Sequence, residues 1–190
     1  MSLYTFNPRN TGLYEARLWK AYYDRQWPRA LALLFRLMRS QFGLSLVDAA
    51  RATLWGIRAS IIFAPPEHDD KAVLKALERF YTVVRNGSDG RFDPHAAAAA
   101  ELDYWIVHRR LAGQKGSAAL KESLARLSAC VYGLSPDQTH PSAALRAHAC
   151  DLVDDITGGR QAPTHAAWSA IEDTLRRSYA LLRLELESTP

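Results

Sequence analysis

The chain has 190 residues, of which 48% are hydrophobic and 23% charged, with a formal charge of +4. These values exclude a disordered or low-complexity protein and suit one domain, residues 1–190, with a sizeable core. Cys130 and Cys150 are the only cysteines and form no Cys-x-x-Cys pair, which excludes a disulfide framework or cysteine-rich zinc site and favours a cytoplasmic, reducing setting.

Helical periodicity dominates from end to end, with no alternating run of β-branched residues. An aromatic helix is expected over residues 11–26. Pro28 opens a second helix, which Gly43 closes, and the Ser45-Leu46-Val47-Asp48 stretch caps a third. Residues 64–70 form a break, whose His68-Asp69-Asp70 end supplies negative charge to the start of a fourth helix. Asn86-Gly87 ends that helix. Asp93, followed by Pro94 at the first helical position, starts a fifth that runs to about Gly113. A sixth spans Ser117 to Gly133. Residues 135–142 read as a turn feeding a seventh helix, which Gly158-Gly159 ends, and residues 162–164 start the last, reaching Glu187. The expected fold class is all-α: a single-domain helical bundle of about eight mostly antiparallel helices.

Charged and aromatic residues share a stripe on two of these helices. Glu101, Trp105 and His108 stand at i, i+4 and i+7, hence on one face, flanked by Tyr104 and opposite a solvent strip of Asp103 and Arg110. Glu15, Trp19 and Tyr22 repeat the spacing on the first helix, with Tyr23 beside them. A helix apolar around most of its circumference is usually central, so both stripes are expected to face inward. A buried carboxylate must find a partner or take up a proton. Glu101 and His108 lie roughly 10 Å apart along the axis and cannot serve each other. Partners are expected from other helices: a tyrosine hydroxyl at 22, 23 or 104, and Arg146, which the seventh helix turns inward. Glu15, Trp19, Tyr22, Tyr23, Glu101, Tyr104, Trp105, His108 and Arg146 thus form the candidate ligand-binding set, with no catalytic residue assigned. The cluster fits either a small-molecule site or a polar core that fixes helix register.

Other chemistries leave weaker traces. A metal-dependent enzyme would hold its ion with Glu15, Glu101 and His108, but the Glu-x-x-His pairs of two-metal bundles do not occur. No cofactor is required by any motif, since the glycine-rich phosphate loops and serine-nucleophile signatures are missing. The His148, Asp151 and Asp155 row has ligand spacing but is expected on a solvated face.

Charge is uneven, with nine Lys+Arg against three Asp+Glu in residues 1–63. Residues 28–63 therefore suit a peripheral membrane surface or a protein partner. There is no clear nucleic-acid signature. Neither a signal-peptide core nor an uncharged run of about 18 apolar residues is present, so no transmembrane segment is expected. Leu181, Leu184 and Leu186 near the end of the last helix suit a homodimer contact.

Overall fold

A computed structural model describes residues 3–188. After a short 3-10 turn at Leu3–Thr5 come α1 (Pro8–Tyr23), α2 (Trp27–Phe42), α3 (Leu46–Phe63) and α4 (Asp70–Gly87). The chain continues through α5 (Pro94–Leu111), α6 (Ala118–Tyr132), α7 (Pro136–Thr157) and α8 (His165–Ser188). Among the described residues there is no strand, so the fold is the all-α bundle that the periodicity indicates. Each helix packs on the next, and α8 returns to α1, closing the eight into a ring. Helices α1 and α8 run antiparallel: Arg183 donates to the Tyr4 carbonyl near one end, and Arg17 meets Glu172 toward the other.

Side chains at the helix ends set these boundaries. Ser45, Asp69, Asp93 and Ser117 each accept a hydrogen bond from a backbone N–H in the first turn of the helix that follows. Gly43 and Gly133 end α2 and α6 in the left-handed conformation that a side chain would strain. The first helix begins three residues earlier than periodicity suggests, because Asn7 caps it and Pro8 takes the first position. It ends earlier too, where Arg25 adopts φ 57°. The turn expected at 135–142 is instead the start of α7. A capping box between Ser135 and Gln138 nucleates it, and the Thr139 hydroxyl donates to the Ala125 carbonyl of α6, so the helix continues through Pro141.

Glycine decides one helix contact. A Cβ at Gly12 would lie 2.6 Å from the Arg176 backbone nitrogen, so α1 and α8 can approach this closely only without it.

The two ends of the ring differ. At one, Leu3 and Phe6 are buried, and Phe6 meets the rings of Tyr132 and Tyr179 with centroids 5.8 Å away. The Leu3 N–H donates to Asp89 across 2.8 Å, fastening this stopper to the α4–α5 connection. Burying two such side chains contributes about 1.5–3 kcal/mol each. At the other end Tyr22, Tyr23, Trp27, Leu31 and Ile61 are exposed.

Among the described residues no single helix is long and apolar enough to cross a membrane; α2 and α3 qualify only as a pair, bent by 119° at their junction. In the leucine group of α8, Leu186 packs against the core and leaves Leu184 exposed, so the apolar surface there is smaller than the spacing implies.

Candidate functional site

The ring encloses a cavity of about 920 Å³ to which every helix contributes. Its walls are mainly apolar, from residues such as Leu34, Leu37, Phe42, Phe80, Leu127 and Val131. It opens between α1, α2 and α3, where Tyr22, Trp27, Leu31 and Ile61 line it and are also exposed.

Two carboxylates face this space, and their surroundings differ. Glu15 is buried, and each of its two oxygens accepts a hydrogen bond. Arg146 Nη2 donates to Oε1 and the Tyr179 hydroxyl to Oε2, both across 2.7 Å. The Arg146 guanidinium lies 5.5 Å from the Tyr104 ring centroid, a cation–π distance. Burial works against the arginine's charge, but Glu15, the surrounding tyrosine oxygens and Glu101 outweigh it and hold its pKa well above the usual value.

Glu101 receives only neutral donors. The Tyr81 hydroxyl donates to Oε2 across 2.9 Å and Trp105 Nε1–H to Oε1 across 2.7 Å. Burial pushes its carboxyl above the ordinary range; Arg146 and the two hydrogen bonds pull the other way, and the charge of Glu15 adds to the rise. Glu101 is half-buried and lines the cavity. Tyr81, Tyr104 and Tyr179 have hydroxyl pKa values raised well above normal, chiefly by burial and then by nearby groups, so these phenols are protonated donors.

Glu15, Trp19, Glu101, Tyr104, Trp105 and Arg146 line the cavity and face inward, whereas Tyr22 lines it only at the mouth and is exposed, contrary to the expectation for the α1 stripe. Tyr23 does not line it; it is exposed and packs edge-to-face on Tyr22. His108 does not either. It stacks on Tyr104 and turns toward Asp154, 3.6 Å from Nε2 to Oδ1, which is ion-pair range but longer than a hydrogen bond. The hydroxyls that serve the carboxylates come from Tyr81 and Tyr179, and not from residues 22, 23 or 104. A buried tyrosine needs an acceptor, so any tyrosine on an apolar helix face was a detectable partner for an inward glutamate.

The metal set formed by Glu15, Glu101 and His108 is not assembled. Among the described residues no group of three or more His, Cys, Asp or Glu converges to hold an ion. Each of the three has instead turned to a separate partner on a different helix. Nor is Cys150 poised as a nucleophile: burial pushes its thiol up to about 12, so it stays protonated.

The acidic row on α7 is also placed differently from expectation. Asp151 and Asp155 are buried, while His148 is exposed. Gly116 N–H donates to Asp151, Gly113 N–H to Asp154, and Lys115 and Arg160 pair with Asp155. These carboxylates fasten the α5–α6 connection onto α7. Arg109 does comparable work beside the cavity mouth, donating to the Phe63 and Pro65 carbonyls and so fixing the end of α3. His68 packs on Phe63 in the same connection, and Asp69 caps α4, so the His-Asp pair there is structural.

Comparison of the chain with protein-family models, with curated proteins and with solved structures finds no match in any of the three.

Proposed function

We propose that this protein binds a small, mainly apolar molecule inside the helical ring, with the polar end of the ligand against Glu15, Glu101 and Arg146. The observation that carries the reading is the open cavity of about 920 Å³. A polar cluster serving only to fix helix register would be enclosed by close-packed side chains, because protein interiors leave few voids larger than a water molecule. A large apolar space with a few convergent polar groups is instead the usual form of a ligand site. Of the alternatives, an enzyme using Glu15, Glu101 and His108 on a metal loses its support with the separation of those residues. Both cysteines are free, in keeping with a cytoplasmic setting.

Fluorescence tests the reading directly, since Trp19, Trp27 and Trp105 line the cavity. Titration with a naphthylamine probe should saturate at one site per chain and quench tryptophan emission. Ser128→Trp, which places a large ring in the cavity, should abolish saturation while leaving the melting temperature within a few degrees. Absence of saturable binding for the wild-type chain would end the proposal.

A second reading concerns the surface and is favoured by α3. Val47, Leu54 and Ile61 share its outer face and are each about two-thirds exposed (66, 66 and 67%). Between residues 25 and 63, Arg25, Arg29, Arg36, Arg39, Arg51 and Arg58 face Asp48 as the only acid. Apolar residues flanked by arginines suit an anionic bilayer surface, with Trp27 at the level of the headgroups. A second copy of the chain is disfavoured, because a two-fold contact on this face would bring arginines together. Co-sedimentation with vesicles that contain phosphatidylglycerol, lost on Leu54→Glu, is the expected outcome. Equal recovery with neutral vesicles would argue against it.

A further inference from the structure

We propose that the cavity's ligand carries a cationic group, an amine or quaternary ammonium on an apolar body, which pairs with the Glu101 carboxylate; the inference rests on the cavity being a ligand site.

The argument is a charge count around the polar wall. Two carboxylates and one guanidinium lie there: Glu15, Glu101 and Arg146. Arg146 is committed to Glu15 by an Nη2–Oε1 contact of 2.7 Å, and the Tyr179 hydroxyl occupies the other carboxylate oxygen. That pair sums to zero. Glu101 remains, with a phenol and an indole as its donors and, among the described residues, no ion pair to a basic side chain. Each carboxylate oxygen has a second acceptor position, so a ligand N–H or ammonium can approach without displacing Tyr81 or Trp105. Tyr81 and Trp105 supply aromatic rings in the same wall, and such rings stabilise cations through their π faces. Arg146 offsets part of the Glu101 charge through space, but its contact is with Glu15, so a ligand cation at contact distance supplies the ion pair that the protein leaves unmade at Glu101.

Arg146 Nε is the competing feature, a buried N–H without a partner, which favours a ligand acceptor atom. An anionic headgroup reaching it would stand against the residual negative charge of Glu101. A neutral oxygen would not, so a ligand with both an ammonium and a hydroxyl or carbonyl satisfies the whole wall.

Isothermal titration with four ten-carbon probes below their micellar thresholds separates the outcomes: decylamine, decyltrimethylammonium, decanol and decanoate. The expected order places both cations about tenfold or more tighter than decanol, with decanoate weakest. Glu101→Gln retains an acceptor for Trp105 and a group that can pair with Tyr81. It should reduce the cation preference to below about threefold while leaving decanol unchanged. In the wild-type chain, decyltrimethylammonium has no proton to lose. Its affinity should fall on acidification as Glu101 takes up a proton amid Glu15, Tyr81, Tyr104, Trp105 and Arg146, while that of decanol stays flat. Equal affinity for amine and alcohol, or tightest binding of decanoate, overturns the cation assignment and leaves the cavity reading standing. Failure of all four to bind overturns both.

Discussion

Helices α1 and α5 carry the same pattern, a glutamate followed four positions on by tryptophan, and both glutamates reach the same cavity. They end in different electrostatic states. Glu15 is neutralised by Arg146 from α7 and capped by Tyr179 from α8, so it ties three helices together. Glu101 is held by Tyr81 from α4 and by Trp105 one turn along its own helix, and feels the charge of Arg146 only at a distance, with no ion pair of its own among the described residues. Identical spacing delivers a side chain to an interior. Whether it arrives as a structural tie or an unspent charge depends on what the neighbouring helices present. Glu15 is tied into the architecture by an ion pair, whereas Glu101 is held by neutral donors alone.

The largest effect should come from breaking the α1 tie. Arg146→Met leaves Glu15 buried with a single phenolic donor, and loss of one partner of a buried pair costs about 3–5 kcal/mol. Urea titration should show the midpoint fall by the corresponding amount at an unchanged slope. Replacing both partners, Glu15→Gln with Arg146→Met, should recover a good part of the loss, because no charge is then stranded. If Glu15 and Arg146 behave additively, the contrast drawn between the two glutamates is wrong.

Next in size is the seating of α1 itself. Gly12 lies one turn before Glu15, and a methyl group there would overlap the Arg176 backbone at 2.6–2.8 Å. Gly12→Ala should therefore destabilise the chain by about 1–3 kcal/mol, despite the higher helix propensity of alanine. A thermal melt that rises instead would mean that α1 and α8 are not in that register.

Glu101 should respond in the opposite sense. Its folded pKa is raised by burial, so the folded chain holds its proton more tightly than the unfolded chain does. Stability from this group is therefore full below the ordinary carboxylate range and is lost as pH rises through the raised value. Glu101→Gln removes the ionisation. It should raise the melting temperature at pH 7.5 by about 2–4 °C for each kcal/mol released, with the gain shrinking toward pH 4. A variant less stable than wild type at pH 7.5 would show that the carboxylate contributes to the fold after all.

Much of the helical layout was legible because its punctuation is local. Asp93-Pro94, Ser45, Ser117, Gly43 and Gly133 act on their own helix ends, and a cap needs nothing from the rest of the chain. The inward faces of Glu15, Glu101 and Arg146 were legible for a related reason, since rotation about a helix axis follows from spacing. Partner choice was not. Tyr81 and Tyr179 meet the glutamates across sequence separations of 20 and 164 residues, which periodicity does not address. The acids of α7 were misplaced because polar neighbours imply solvent. The α5–α6 connection, turning through positive φ at Gly113 and Gly116, covers Asp151 with the Gly116 N–H and Asp155 with the Lys115 side chain, and no helical wheel contains either partner.

The smallest effect should come from the third residue of the α5 stripe, and it separates geometry from function within one helix. His108 shares a face with Glu101 in sequence but stands outside the cavity, stacked on Tyr104 and near Asp154. The carboxyl of Asp154 is held below its usual range; partial burial opposes this, and His108 with the Gly113 N–H outweighs it. His108→Ala removes one of those two supports and leaves the Gly113 hydrogen bond in place. Its cost should be about 0.5–1 kcal/mol, the size of one ordinary polar contact. Probe binding in the cavity should be unchanged, in contrast to the loss of cation preference on Glu101→Gln. If His108→Ala instead weakens cation binding as strongly as Glu101→Gln does, the stripe acts as a unit, and the ligand reaches further along α5 than the cavity walls indicate.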